Sequence, residues 1–191
     1  MTKQSSKRAR IQLAMIALLF FGPLVVAAFL YYGGYFTSMQ ARSNHGTLLR
    51  PTVALAAELP NNDTLGGAEG KWLLVAMIDG PCGEACESEL YTSRQSREML
   101  GRERDRVTRV LLHGADAPDT VFLDQEHSDL ITTVDGGLGD ALKNNSPTTP
   151  AGHGYFLIDP LGNLVMHFES DLEPSKMVED IEHLLRLSRI G

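Results

Sequence analysis

The chain contains two cysteines in 191 residues, and they lie four positions apart as Cys82 and Cys86. On a helix, residues i and i+4 share one face, with their Cβ atoms about 5–6 Å apart. That spacing lets both sulfurs bind one metal ion. A small loop adjustment would instead close a disulfide, whose Cβ atoms lie about 3.5–4.5 Å apart. The pair is therefore a candidate for metal binding, for thiol–disulfide exchange or for a structural disulfide.

Two histidines are candidates to join the cysteines. His113 ends a predicted strand, and His153 comes just before the predicted strand that starts at residue 154. Ligands of open sheets bind beyond the carboxyl ends of parallel strands. An antiparallel neighbour of such a strand begins at that same edge. The sequence therefore predicts two thiols and up to two imidazoles at one edge of a sheet.

The elements that position these residues are predicted from hydrophobic patterns. The continuous apolar run at 71–79 predicts a strand buried on both faces. "TLLRPTVALA" at 47–56 predicts a short edge strand, because Pro51 cannot donate a ladder hydrogen bond. The further predictions are a helix over 84–104, a strand over 106–114, a possible helix around 119–129 within an ambiguous 115–149, hairpin strands at 154–160 and 163–169, and a closing helix over 173–190.

The order of these elements predicts the fold class. A strand, a helix and a strand form a right-handed parallel unit, and the hairpin adds two antiparallel neighbours. This is an α/β, thioredoxin-like domain with a central mixed sheet flanked by helices. Its length is enough to bury one core without disulfide staples, so the two cysteines are not needed for that purpose.

The N-terminal part of the chain predicts a membrane anchor. Residues 11–32 are almost wholly apolar and long enough to span a bilayer core of about 30 Å. The apolar core of a cleaved signal peptide, the main alternative, would be shorter. Residues 1–10 hold four basic side chains and no acidic one, which places this end in the cytoplasm. We therefore expect a single-pass protein of a bacterial inner membrane with a periplasmic C-terminal domain.

The charge balance limits the partners. The chain carries 17 basic and 24 acidic residues, and four of the basic ones lie in residues 1–10. The rest of the chain therefore holds 13 basic against 24 acidic residues, a formal charge of −11. Nucleic acid is excluded as a partner, because phosphate binding needs a basic face. Membrane lipid is expected to contact residues 11–32.

These predictions divide the chain into four parts: a basic N-terminus at 1–10, a transmembrane helix at 11–32, a tether with an edge segment at 33–70, and the thioredoxin-like domain at 71–191.

Residues 71–191 resemble the Sco (SenC-like) family, which comprises membrane-anchored thioredoxin-fold proteins that bind copper and help assemble cytochrome c oxidase. The resemblance rests on "CGEAC" (82–86) for the family's Cys-x3-Cys, "HGADAPDT" (113–120) for its Asp-Pro-x-x-Asp-Thr loop, and "YFLIDPLGNLV" (155–165) for its strand-turn-strand. The family usually has Cys-Pro-x-x-Cys, whereas here Pro81 precedes Cys82. The chain is therefore identified as a divergent member.

The resemblance implies a metallochaperone-like assembly factor that makes or breaks no substrate bond. It implies that Cys82 and Cys86 are thiolate ligands suited to Cu(I), and that His153 adds the nitrogen that Cu(II) favours. His113, which the predicted topology brings to the same edge, is the alternative third ligand. The partner would be a cytochrome c oxidase subunit or another copper carrier. Two alternatives stay open: a periplasmic thiol–disulfide oxidoreductase acting on partner cysteines, and a degenerate domain that only binds oxidase subunits.

Overall fold

The computed structural model describes residues 3–33, 44–59, 68, 70–78, 80–116, 118–134, 136–146, 154–188 and 190. The chain divides into two compact units, Met1–Ser43 and Asn44–Gly191.

The first unit contains one long helix, α1, over Lys3–Tyr32. Its stretch Arg10–Leu30 has a mean hydropathy of 2.6, and by length and composition it can cross a membrane. The large apolar side chains between Ile11 and Phe29 are exposed, which suits contact with lipid. Pro23 lies inside the helix, which membrane helices tolerate. The predicted apolar helix is therefore confirmed.

The second unit alternates strands and helices around one sheet. Its elements are β1 Thr47–Ala54, β2 Trp72–Ile78, α2 Glu84–Met99, a 3-10 helix Gly101–Arg106, β3 Val107–His113, α3 Thr120–Glu126, β4 Leu130–Thr133, α4 Gly136–Asn144, β5 Tyr155–Ile158, β6 Asn163–Phe168 and α5 Pro174–Leu187.

The six strands form one mixed sheet in the order β1-β6-β5-β2-β3-β4. Strands β2, β3 and β4 are parallel to one another. Strand β5 runs antiparallel to β2, and β6 and β1 continue the antiparallel half. The predicted thioredoxin-like arrangement is confirmed, and β1 is an edge strand as predicted.

The core lies on both faces of this sheet. Every residue of β2 is buried, because its alternate side chains enter two different hydrophobic clusters. One cluster packs beneath α2 and α5, whose buried residues recur at helical spacing. The other packs beneath α4 through Leu138 and Leu142. The continuous apolar run in the sequence follows from this double burial.

Two details of the fold differ from the sequence predictions. Helix α2 ends at Met99 rather than at 104, because Gly101 has φ +57°, which the interior of an α-helix cannot include. The ambiguous region 115–149 contains not only α3 but also β4 and α4. Strand β4 has only four residues, of which only Thr133 is buried, so it leaves no hydrophobic pattern to recognise.

Candidate functional site

Cys82 and Cys86 lie where the central parallel strand passes into a helix. Cys82 follows β2 in the connecting loop, and Cys86 lies in the first turn of α2. The two residues are bonded to each other as a disulfide, with their Cα atoms 5.0 Å apart. Cys86 is 4% exposed within the core under α2, whereas Cys82 packs against the rim of that core and is only partly buried. Cys82 is therefore the sulfur that an approaching molecule meets first.

The sheet register shows which other segments reach this edge. Ile78, the last residue of β2, pairs with His113, the last residue of β3. At the start of the antiparallel neighbour, the carbonyl of Gly154 accepts a hydrogen bond from the Met77 N–H at 3.3 Å. The ends of β2 and β3 and the beginning of β5 therefore meet at one edge. His153 itself lies outside the described residues, so its part in the site stays a prediction.

His113 has a fixed tautomer. Its Nδ1 lies 2.8 Å from the carbonyl oxygen of Gly114. A carbonyl can only accept, so Nδ1 carries a proton, and in the neutral ring the lone pair is on Nε2. This is the arrangement in which a histidine can bind a metal through Nε2.

The pocket that His113 lines is separate from the disulfide. It has a volume of about 220 Å³, and its wall is formed by the ends of β2 and β3 and by α4, without either cysteine. Within the described part of the chain, no three side chains of His, Cys, Asp or Glu are close enough to hold a metal ion. The structure therefore brings the two cysteines together without adding His113 to them as a third ligand.

The helix start beside the disulfide is acidic. Glu84 and Glu87 occupy the first turn of α2, where carboxylates stabilise the positive end of the helix dipole. The sequence has no Lys or Arg between Lys71 and Arg94. In the reduced pair, negative neighbours would oppose the formation of a thiolate, whereas a bound cation would supply the missing positive charge. The surroundings of the pair therefore favour the capture of a cation.

Tyr155 is a supporting residue that the sequence analysis treated only as part of a strand. It is fully buried on β5, and its hydroxyl donates a hydrogen bond to the main-chain oxygen of Glu89 at 3.0 Å. Burial, and next the nearby charge of Glu89, raise the pKa of Tyr155 far above its usual range. The hydroxyl therefore stays protonated and ties α2, which carries Cys86, to the sheet.

The fold and the cysteine pair define a thioredoxin-like domain that follows an apolar helix. The chain belongs to the family described as transmembrane-like, thioredoxin-like, C-terminal domain, whose model matches residues 72–188. The comparison with curated proteins gave no match.

Several solved structures share this fold. Apo Sco1 from Thermus thermophilus superposes with a TM-score of 0.52 at 14% identity, covering 76% of this chain and 99% of that one. Yeast Sco1 with copper bound gives 0.51 at 16% identity, covering 64% and 83%. Arabidopsis thaliana ScoI with copper bound gives 0.50 at 14% identity, covering 75% and 99%. The predicted resemblance to Sco proteins is thus confirmed as a common fold.

Proposed function

We propose that this protein is a membrane-anchored, copper-binding assembly factor for cytochrome c oxidase. One observation carries the proposal: the only two cysteines of the chain lie with their Cα atoms 5.0 Å apart at the ligand-binding edge of a thioredoxin-like sheet. Solved structures of the same fold include yeast Sco1 and Arabidopsis ScoI with copper bound. A domain that is joined to a membrane-spanning helix also suits a protein that serves a membrane-bound oxidase.

The bonded pair needs reduction before it can bind metal. A dithiol donor would give two electrons and two protons to the Cys82–Cys86 disulfide and become a disulfide itself. Cu(I) would then displace the two thiol protons, since thiolate is the form that binds metal. Two sulfur ligands suit this soft ion, and we assign the third position to His153. The copper is cargo, passed by ligand exchange to an oxidase subunit or to another copper carrier.

The proposed location follows from the helix and its flanking charge. Residues 11–32 would lie in a bacterial inner membrane, with the basic residues 1–10 in the cytoplasm. The domain would then act in the periplasm, where disulfides form and persist.

A second candidate function is thiol–disulfide exchange with partner cysteines. It is favoured by the bonded state of the pair and by its asymmetry, since Cys82 is accessible and Cys86 is buried. In that role a reduced Cys82 would attack the partner's disulfide, and Cys86 would then release the partner as a dithiol.

Anaerobic loading of the reduced full-length chain in detergent with Cu(I) tests the primary proposal. We expect one Cu(I) per chain, held against a chromogenic chelator, and loss of tight binding in Cys82→Ser and in Cys86→Ser. His153→Ala should weaken Cu(II) binding more than Cu(I) binding, whereas the matched variant His113→Ala should change neither. A wild-type chain that binds no copper but reduces a partner disulfide would overturn the proposal in favour of the exchange function.

A further inference from the structure

A groove runs along α2 on the side of the helix that faces away from the core. It lies between α2 and α3 and has a volume of about 390 Å³. Glu84, Glu87 and Tyr91 line it from α2, and this spacing places them on one helical face. The buried residues of α2, including Cys86, lie on the opposite face. The groove therefore begins at the same end of α2 as the disulfide but opens to solvent.

The negative charges at one end of the groove have no positive charge paired with them. Arg94, at its far end, is committed to Glu126 of α3: its Nη1 lies 2.7 Å from the main-chain oxygen and 3.1 Å from Oε2. Within the described residues, neither Glu84 nor Glu87 forms an ion pair. The end of the groove nearest the cysteines is therefore negative and lacks a cation.

An aromatic surface accompanies this charge. Tyr91 is 60% exposed although it lies in the middle of a packed helix. Phe122, from α3, is half-buried on the other side of the groove. An exposed aromatic ring beside carboxylates attracts a Lys or Arg side chain, because the cation interacts with the ring face and its alkyl part packs against it.

We propose that this groove is the docking surface for a basic, lysine- or arginine-bearing segment of a partner protein. That this partner exchanges copper with the cysteine pair rests on the proposed function. Charge complementarity selects this occupant, since the chain beyond residue 10 has a formal charge of −11. Complementary charge accelerates encounter and fixes orientation more than it raises affinity. The groove would thus align a basic partner at the end of α2 where Cys82 is accessible.

The test uses the full-length chain in nanodiscs of uncharged phosphatidylcholine, with fluorescein-labelled tetralysine as the probe and tetraglutamate as the control peptide. We expect tetralysine to bind, tetraglutamate not to bind, and high salt to weaken the binding. Glu84→Gln combined with Glu87→Gln should weaken tetralysine binding at least about fivefold, and Tyr91→Ala about two- to fivefold. The matched double variant, Glu169→Gln combined with Asp171→Asn, removes two exposed charges outside the groove and should change binding less than about twofold.

Equal weakening in the two double variants would overturn the proposal, because binding would then follow net charge alone. Equal binding of tetraglutamate would also overturn it. Copper loading is measured on the same samples. A wild-type chain that binds tetralysine through Glu84 and Glu87 but takes up no copper would refute the proposed function and leave the docking surface standing.

Discussion

Single residues show how the fold gives two identical side chains different roles. Cys82 and Cys86 are bonded to each other, yet Cys86 is enclosed by the core under α2 while Cys82 lies at its rim. A pairing of one accessible and one buried sulfur means that a partner or a reductant reaches the disulfide through Cys82. Tyr155 holds α2, which carries the buried sulfur, to β5 through its hydrogen bond to the main-chain oxygen of Glu89.

His127 shows a different effect of burial, on charge. It is 3% exposed, and its Nδ1 lies 3.2 Å from Nη2 of the buried Arg109. Arg109 can only donate, so Nδ1 accepts and the imidazole is neutral. Burial, followed by the charge of Arg109, lowers the pKa of His127 below its usual range.

Because its pKa is depressed in the folded state, His127 contributes stability above about pH 6.5 that is lost as the pH falls. One proton changes the free energy of unfolding by at most about 1.4 kcal/mol per pH unit. We expect His127→Gln to reduce the loss of stability between pH 7.5 and 5.5, measured by urea unfolding through the fluorescence of Trp72. The exposed His183 provides the control variant, His183→Gln, and an equal reduction in both variants would contradict this account.

At the scale of elements, the start of β5 is the most constrained junction near the site. Gly154 has φ +112° and lies immediately after His153. A Cβ added there would collide with the main-chain oxygen of Phe168 on β6 and approach Nε2 of His167 at 3.1 Å. A main-chain atom within a sheet cannot move aside as a flexible side chain can. Only glycine therefore lets β5 begin between β2 and β6.

Gly154→Ala should destabilise the domain by roughly 2–4 kcal/mol, since strain in the backbone adds to overpacking against β6. Gly101→Ala is the matched control, because Gly101 also has a positive φ of +57° but nothing lies within 4 Å of its added Cβ. That variant should lose only about 1–2 kcal/mol. The measurement is again urea unfolding of the full chain, and equal losses would show that the contact with Phe168 is unimportant.

At the scale of the whole molecule, the N-terminal residues of the domain are held at the end of the sheet where the cysteine loop lies. Thr47, at the start of β1, pairs with His167 near the end of β6, and His167 pairs with Phe156 at the start of β5. The Gly46 N–H just before β1 donates to the buried Asp180 carboxylate at 2.7 Å. The first described residues of the second unit therefore join the sheet at the same end as the cysteine loop.

The apolar helix should keep the protein in the membrane. We expect the full chain to stay in the membrane pellet after an alkaline carbonate wash, because Arg10–Leu30 is long and apolar enough to span a bilayer. Protease added from the periplasmic side should degrade the domain. Recovery of a soluble fragment that starts near residues 30–45 would instead reveal a cleaved signal peptide.

The local sequence by itself determined most of the helices and strands and the position of the two cysteines. The pattern of apolar residues within one element is imposed by that element alone, and it predicted several of them. These are the strand β2, buried on both faces, the hairpin of β5 and β6, the apolar helix α1 and the amphipathic helix α5. Cys82 was predicted just after the first central strand and Cys86 in the first turn of the following helix, and both positions are confirmed. The ends of β2 and β3 were also predicted at one edge, because the two strands of a strand–helix–strand unit are parallel.

Contacts between distant residues decided the rest, and only the tertiary structure contains them. Arg109 lies in β3, whose sequence gives no sign that this side chain is buried. It is fully buried because its Nη1 pairs at 2.9 Å with Oδ1 of Asp129, a residue that follows α3 in the chain. Strand β4 is held by pairing with β3 rather than by a pattern of its own. The groove beside Tyr91 exists only because α3 packs near α2. Periodicity reports what one element buries, whereas these features depend on which elements become neighbours.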